Sequence, residues 1–433
     1  TRVHHGGKTF NMGSTIPTAA YTVGLVAEYI ELFGVPGSGP FDIEVTDTFD
    51  AQNVRLTRDV SITPSKYIMF YAIQHYFANG GGPCKVISCA DMNIAPSASR
   101  FSAAFDTLET LYGCQLLVIP EMTVGDSTYK TTVDLALAHC RKVGNRFLLI
   151  DAPYTGDAVA DAASMRTNSG TENLSHGAAY YPFLQTNIKH DFDERMVRIK
   201  HEVSGGTATA TLDEKNVWEL KALDNGLYNE IVDHIAALPP VVLPPSAAVA
   251  GQIVRNDRDK GLWKAPANLG LNAVISPMKQ VTQVEQDQLN VDAQTGKSIN
   301  VIRTFHGRGT MIWGARTLDG NDNEWRYIPV RRLFSTAENA IKLGSEWAVF
   351  EPNDANTWLR LKTMIEVYLQ GLWRDGALAG SRPQDAFYVR VGLGITMTPQ
   401  DILNGILRIE VGMAAQRPAE FIVLKVSQMM QQS

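Results

Sequence analysis

The sequence predicts an α/β protein that is mixed with α+β elements and divided into several domains. Three observations carry this prediction. Apolar runs typical of buried strands alternate with stretches of helical length between Asp59 and Asp151. A segment rich in Gly, Ser, Thr and Asn then interrupts the alternation, and helical and strand-like patterns mix beyond Pro245. A chain of 433 residues has room for about two or three domains.

The first predicted elements form a parallel-sheet region. Thr63 followed by Pro64 predicts a helix start, with a capping residue before a proline in the first turn, and the helix ends near Ala78. The elements that follow are expected as strand, helix, strand, helix and strand at Cys84 to Cys89, Arg100 to Tyr112, Gln115 to Ile119, Thr131 to Val143 and Phe147 to Ile150. Strands separated by helices of this length imply right-handed crossovers and a parallel sheet.

The middle of the chain has a different texture. Glycines at 205 and 206 predict a hairpin with arms at Met196 to Val203 and Thr207 to Leu212, and a helix is expected from Asn225 to Leu238. The segment Pro239 to Pro245 contains four prolines and predicts a stiff connector.

The last part of the chain predicts an α+β domain. Ser335 and Glu338 have the spacing of a capping box, which predicts the start of a short helix. A longer amphipathic helix is expected from Asn356 to Trp373. The remaining expected elements are a short helix and two strands, at Thr398 to Asn404, Ile406 to Met413 and Glu420 to Val426.

The composition excludes some functions. A net charge of -6 gives no general attraction to nucleic acid or to anionic lipid. No run approaches the roughly 18 apolar residues of a membrane helix, so direct membrane insertion is not expected. The four cysteines lie in apolar runs without the close pairing of a zinc site, which predicts buried reduced thiols at Cys84, Cys89, Cys114 and Cys140.

One pattern in the first region leaves an enzyme open as an alternative. Asp91, Glu121 and Asp151 follow or end the three predicted strands. Ligands of open parallel sheets bind at the carboxyl ends of the strands, where carboxylates could hold a divalent cation. The alternative function is therefore a metal-dependent or nucleotide-dependent α/β enzyme. No nucleophile or general base stands in a recognisable arrangement beside these acids.

The highest concentration of positive charge is a stretch in which arginines alternate with aromatic residues. Its arginines include Arg303, Arg308, Arg316 and Arg326. The mixture suits single-stranded nucleic acid, but acidic neighbours at 319, 322 and 324 oppose such a partner. Arginine and aromatic residues are also enriched in protein interfaces, and we predict an interface between protein subunits here and no nucleic acid.

Several ordered blocks carry a family resemblance. They are LPPSAAVAGQIVRNDRDKGLWKAPAN from Leu243, GRGTMIWGARTL from Gly307, EWRYIPVRRLF from Glu324, WAVFEPNDANTW from Trp347 and RPAEFIVLKVSQ from Arg417. These blocks resemble the contractile tail-sheath family, in particular the single-chain sheaths of phage-tail-like particles and extracellular contractile injection systems. A weaker likeness extends upstream through FANGGGPC at Phe77 and AAYYPF at Ala178.

The resemblance implies a structural role without catalysis, cofactor or metal. A sheath subunit forms a helical homo-polymer around an inner tube protein, joins baseplate and terminator proteins, and contracts to drive the tube through a target envelope. The particle is assembled in the bacterial cytoplasm, and it is then released, anchored at a membrane or retained.

The resemblance also implies a division of this chain. The expected parts are an N-terminal arm (1–30), an α/β sheath region (31–151), an inserted, outward-facing region (152–240), a tube-proximal C-terminal core domain (241–418) and a C-terminal arm (419–433). The arm would add a strand to a neighbouring subunit, which makes Phe421 and Val423 interface candidates beside the four arginines. The short helix after Thr398 would face the tube, with Gln400 and Asp401 as candidate contacts.

Overall fold

A computed structural model of the chain describes residues 2–5, 8–11, 19–24, 41–64, 68–88, 97–111, 113–120, 122, 128–190, 192–195 and 197–420. Its strands in chain order are β1 (Arg2–His5), β2 (Lys8–Asn11), β3 (Ala19–Gly24), β4 (Phe41–Phe49), β5 (Arg55–Pro64), β6 (Cys84–Ser88), β7 (Cys114–Val118), β8 (Phe147–Asp151), β9 (Gly177–Tyr181), β10 (Leu184–Thr186), β11 (Ile199–Ser204), β12 (Val242–Leu243), β13 (Leu269–Gly270), β14 (Val274–Pro277), β15 (Ile299–Phe305), β16 (Gly309–Trp313), β17 (Phe387–Arg390) and β18 (Glu410–Met413).

The α-helices in chain order are α1 (Met69–Ala78), α2 (Ala98–Glu109), α3 (Tyr129–Val143), α4 (Ala158–Asn168), α5 (Leu220–Leu223), α6 (Asn225–Ala237), α7 (Ser246–Lys260), α8 (Gln283–Asn290), α9 (Ile328–Gly344), α10 (Ala355–Arg374), α11 (Pro383–Ala386) and α12 (Pro399–Leu403). The chain has two compact units, one formed by Thr1–Asp259 with Pro266–Ile328 and the other by Lys260–Ala265 with Pro329–Ser433. The domain boundaries given above stay predictions.

The larger unit is built around a mixed sheet of eight strands in the order β13-β16-β15-β9-β8-β7-β3-β6. From β15 to β6 all neighbours are parallel, whereas β16 pairs antiparallel with both β15 and β13. Every residue of β8 and β9 is buried, as expected where both faces of a parallel sheet are covered. The predicted parallel α/β region is therefore confirmed, and the sheet extends beyond Asp151 through β9, β15 and β16.

Helices cover both faces of this sheet. Successive residues of β7 point to opposite faces, so that Leu117 joins one hydrophobic core while Leu116 and Val118 join the other. The core of Leu117 includes buried residues of α2, α3, α4 and α8. The core of Leu116 includes buried residues of α1 and α7. Gly144 ends α3 in the left-handed conformation (φ 82°), as the sequence predicts for a helix-closing glycine.

The predicted helix start at Thr63 and Pro64 is wrong. Both residues lie in β5, where they pair antiparallel with Asp42 and Phe41, and α1 begins only at Met69. A proline is acceptable in an edge strand, because one side of such a strand has no partner strand that would need the missing N–H. The pairing with a distant segment overrides the local helix signal.

A second sheet, in the order β11-β4-β5, has its own hydrophobic core in the larger unit. The predicted hairpin between Met196 and Leu212 is wrong, because β11 pairs parallel with β4 and the residues from 207 to 212 form no strand. Alternate residues of β4 are buried against α6, and the opposite face is largely exposed. The predicted helix at Asn225 is confirmed as α6.

A buried polar network fixes this small sheet to α6. The Asp47 carboxylate accepts hydrogen bonds from Arg58 Nε and Nη2 at 2.7 and 2.8 Å and from His201 Nε2 at 3.1 Å. Since His201 Nδ1 accepts from the N–H of Leu212, its Nε2 carries the proton. Arg58 also donates to Asp224 at 2.6 Å, and Asp224 caps α6. The bonds from Arg58 lower the pKa of Asp47.

A second buried network joins α1 to α7. Asn79 is fully buried, and its side-chain oxygen accepts from the N–H of Asn272 at 2.8 Å and from Gln252 Nε2 at 3.2 Å. Gly251 allows α7 to approach α1 closely, because a Cβ atom there would lie 2.4 Å from the carbonyl oxygen of Tyr76. Small residues at such a crossing bring two helices into backbone contact.

The smaller unit contains α10 packed on the β17–β18 hairpin. Leu361, Ile365 and Leu369 of α10 are buried, at the spacing that the sequence predicts for the apolar face of this helix. The predicted helix start at Ser335 is wrong, because α9 begins at Ile328 and Ser335 is an interior residue that accepts a hydrogen bond from Arg331 Nε. Three of the four cysteines, Cys84, Cys114 and Cys140, are buried free thiols, and Cys89 lies outside the described residues.

Candidate assembly surfaces

Four residues of the arginine and aromatic stretch lie on the β15–β16 hairpin. The rings of Phe305 and Trp313 lie 4.5 Å apart between centroids. The Arg308 guanidinium lies 5.9 Å from the Phe305 centroid and 5.8 Å from that of Trp313, and Arg303 lies 5.4 Å from Phe305. We call these four side chains the hairpin tip. Cations stacked on aromatic rings are suited to a protein interface.

The partners of the two hairpin-tip arginines are neutral. Arg303 donates to the amide oxygens of two glutamines near the start of α8, at 3.0 and 2.7 Å. Arg308 donates to the side-chain oxygen of Asn268. Among the described residues no carboxylate lies within 4.0 Å of either guanidinium. As far as the described residues go, the hairpin tip therefore presents positive charge that no carboxylate balances.

The other two candidate arginines are held inside the subunit. Arg316 is only 4% exposed and donates to the carbonyl of Gly320 at 3.0 Å. Arg326 donates to the carbonyl of Asp322 at 2.8 Å. These contacts shape the loop after β16, so Arg316 is poorly placed for direct contact with another subunit. An interface role for the four arginines stays a prediction.

The β17–β18 hairpin has an open edge. The N–H of Ala414 donates to the carbonyl of Ala386, which makes Phe387 and Met413 a non-hydrogen-bonded pair of the antiparallel ladder. By the alternation of such ladders, the backbone groups of Phe387 and Val389 point away from β18. In the part of the chain that the structure describes, no third strand pairs with β17.

The predicted short helix near Thr398 is confirmed as α12, and it contains the two candidate tube contacts. Asp401 accepts hydrogen bonds from the N–H and hydroxyl of Thr398 at 2.9 and 2.8 Å, and Arg408 lies 3.3 Å away. The bonds from Thr398 lower the pKa of Asp401. Gln400 is exposed and donates to Asn404 at 3.1 Å. Asp401 thus stabilises the helix, whereas the exposed Gln400 contacts the residue that follows α12.

An exposed apolar loop before α10 is a feature that the sequence patterns did not indicate. Phe350 is fully exposed, Val349 is 62% exposed, and the Phe350 backbone has a φ of 68°. The Trp347 ring is covered by Arg360 at 4.5 Å. The sequence signal that could have indicated this loop is the apolar run in WAVFEP, which begins at Trp347. Apolar residues in a short, exposed connection favour a contact with another protein.

The acid that supported the enzyme alternative has a structural contact. Asp151 is 5% exposed and accepts hydrogen bonds from the N–H of Ser246, at 2.7 Å, and from its hydroxyl. Asp151 therefore supplies an acceptor for the first N–H of α7, which has no partner within the helix. Burial raises the pKa of Asp151 to about 7, and the bonds from Ser246 oppose that rise.

Several candidate residues lie outside the described residues, namely Asp91, Glu121, Phe421 and Val423. Within the described residues, no group of three His, Cys, Asp or Glu side chains could hold a metal ion. None of the described helices combines the length and the apolar character that a bilayer crossing requires.

The described residues combine a mixed α/β fold with candidate surfaces for protein contacts, and among them no cluster could hold a metal ion. This combination is that of a structural α/β protein. A sequence profile of the phage tail sheath protein central domain matches residues 95–318, and one of the phage tail sheath C-terminal domain matches residues 320–428. The first match alone covers more than half of the chain. The chain belongs to the contractile phage tail-sheath family.

The chain is similar to proteins of phage-tail-like injection particles and to tail sheath proteins of phages. A chain of the anti-feeding prophage (AFP) baseplate is 31% identical, with a TM-score of 0.64 and coverage of 97% of both chains. A chain of the contracted PVC sheath complex, from an extracellular contractile injection system, is 28% identical, with a TM-score of 0.64 and coverage of 97% and 96%. The tail sheath protein of Enterobacteria phage T4 is 29% identical over 129 residues, which are 30% of this chain but only 19% of the phage protein.

Proposed function

We propose that this chain is the structural subunit of a contractile sheath, which polymerises helically around an inner tube and contracts to drive that tube through a target envelope. The observation that carries the proposal is the likeness to the contracted PVC sheath chain over 97% of this chain. The two sheath profiles, which match in order along the chain, support it.

The open edge of β17 supplies a means of linking subunits. An extended segment from a neighbour can add a strand there, and its backbone would pair with the outward groups of Val389. The outward N–H of Phe387 already donates to the carbonyl of Pro383. The apolar run that contains Phe421 and Val423 is our candidate for the added strand. Backbone pairing of this kind keeps subunits connected while their bodies move.

Contraction needs two packings of the same subunits. A head-to-tail contact that does not close produces a helical polymer, and the extended packing is held in a kinetic trap until it is released. The energy is stored at assembly, so the cycle requires no nucleotide hydrolysis. We infer that the chain has no catalytic role and needs no cofactor.

The partners follow from the same role. The likeness to a chain of the AFP baseplate supports association with a baseplate. We assign the tube-facing surface to α12, with Gln400 as the freer contact and Asp401 as the residue that holds the helix, and we expect a terminator protein at the far end. We place assembly in the bacterial cytoplasm.

Negative-stain electron microscopy of the purified chain tests the proposal. We expect hollow cylinders of stacked rings from the full chain, with or without its tube protein, and their loss from a variant that ends at Gln416. The truncated variant should still unfold in a cooperative thermal transition, because the β17–β18 pairs are intact. A full chain that stays monomeric even with the tube protein contradicts the sheath function.

A further inference from the structure

We propose that the hairpin tip of one subunit binds the loop around Phe350 of a second copy of this chain. The inference rests on the proposed self-assembly and names one of its contacts. We define the Phe350 loop as Glu346, Val349, Phe350, Glu351 and Asp354. The hairpin tip belongs to the larger unit and the Phe350 loop to the smaller one.

The Phe350 loop has the form of an apolar knob with an acidic rim. Phe350 has a relative exposure of 103%, so its ring makes no packing contact that shields it from water. Exposed Glu346, Glu351 and Asp354 lie close to it in sequence. In the described part of the chain, no Lys, Arg or His lies within 4.0 Å of these three carboxylates. Within the described residues the loop therefore carries carboxylates without an ion pair, although Arg360 lies over the neighbouring Trp347 ring and Asp354 caps α10.

The backbone at Phe350 supports a binding role. A bulky residue with a positive φ is a genuine outlier and costs about 1 kcal/mol or more. The subunit gains no burial of the ring in return, because the side chain is fully exposed. A contact with a second molecule would bury the Phe350 ring and so offset the cost of the strained backbone that presents it.

The two surfaces are complementary in charge and in chemistry. Arg303 and Arg308 of the hairpin tip have only neutral partners and can pair with the acidic rim. The Phe305 and Trp313 rings already pack against each other and offer an aromatic surface on which the Phe350 ring can pack. Because the two patches are different parts of one chain, their contact can repeat head-to-tail, and it forms an open polymer where the rotation between copies does not close a ring.

Charge reversal tests this pairing. The double variants Arg303→Glu/Arg308→Glu and Glu346→Arg/Glu351→Arg should each reduce the amount of pelleted polymer at least tenfold. The variant that combines all four substitutions restores opposite charges and should recover most of the polymer. Arg141→Glu/Lys189→Glu is the matched control for the arginine reversal. It makes the net charge more negative by the same amount, at two exposed cations elsewhere in the larger unit.

A second variant separates binding from folding. Phe350→Gly relieves the backbone strain, so it should raise the melting temperature of the monomer while it lowers the amount of polymer. The inference is overturned if either double reversal polymerises like wild type, or if the combined variant fails to recover polymer. Those results leave the sheath function standing, whereas a wild-type chain that never polymerises contradicts the sheath function itself.

Discussion

At the scale of single residues, Asp151 shows how burial changes a carboxyl group. Its pKa rises from 3.8 to about 7 because the buried site disfavours the charged form, and two hydrogen bonds from Ser246 only partly offset this. The folded protein therefore binds the proton more tightly than the unfolded chain. Stability contributed by this group is present at acidic pH and is lost as the pH rises through about 7.

The variant Asp151→Asn isolates this effect. Asn is also a good capping residue and keeps an acceptor for the N–H of Ser246, but it has no charge to bury. The difference in unfolding free energy between variant and wild type should grow from pH 4 to 7, in favour of the variant, and reach at most ~4 kcal/mol. Urea unfolding at several pH values measures it. Parallel pH profiles for the two proteins would rule out a buried carboxylate with a raised pKa.

The same residue shows what the sequence could not reveal. An acid at the end of a predicted strand was visible, and the structure places Asp151 at the end of β8. Its partner Ser246 lies 95 residues further along the chain, and no local pattern announces that contact. The sequence therefore located the residue correctly but suggested ligand binding where the fold uses a helix cap.

At the scale of elements, the crossing of α1 and α7 depends on Gly251. The variant Gly251→Ala places a Cβ atom 2.4 Å from the Tyr76 carbonyl oxygen, so the helices must separate, and we expect a loss of about 1–3 kcal/mol in unfolding free energy. Gly371→Ala is the control within α10, where an added Cβ meets nothing within 4 Å. It should stabilise the protein by about 0.5–1 kcal/mol. Chemical denaturation measures both, and equal effects would contradict the close approach.

Elements with local signals were predicted well, and those fixed by distant partners were not. The helices α3, α6 and α10 have apolar periodicity and end signals within their own sequence, and their predicted positions are confirmed. By contrast, β11 pairs with β4, more than 150 residues earlier, so that its turn-like glycines suggested a hairpin that does not form. Ser335 has the spacing of a capping box, yet packing of the preceding turn extends α9 back to Ile328.

At the scale of the whole molecule, the family resemblance supplied what periodicity could not. Patterns of helices and strands indicated an α/β fold and left an enzyme open, because many activities share such folds. Ordered blocks from Leu243 onwards pointed to the sheath family, and the two sheath profiles confirm it. Among the described residues, our candidate assembly surfaces are the hairpin tip, the Phe350 loop and the outer edge of β17.

The outer edge of β17 gives the last prediction. In Val389→Pro the outward N–H is removed while the ladder bonds to β18, which belong to Tyr388 and Arg390, are retained. Val389→Ala keeps that N–H and loses packing, since Val389 is 5% exposed, so it controls for the lost side chain. If a neighbouring strand pairs with β17, the proline variant should form no cylinders in electron microscopy, whereas the alanine variant should form them with a lower melting temperature. Cylinders from a folded proline variant would show that subunits are linked elsewhere, and the assembly would then depend on contacts between side chains such as those of the hairpin tip.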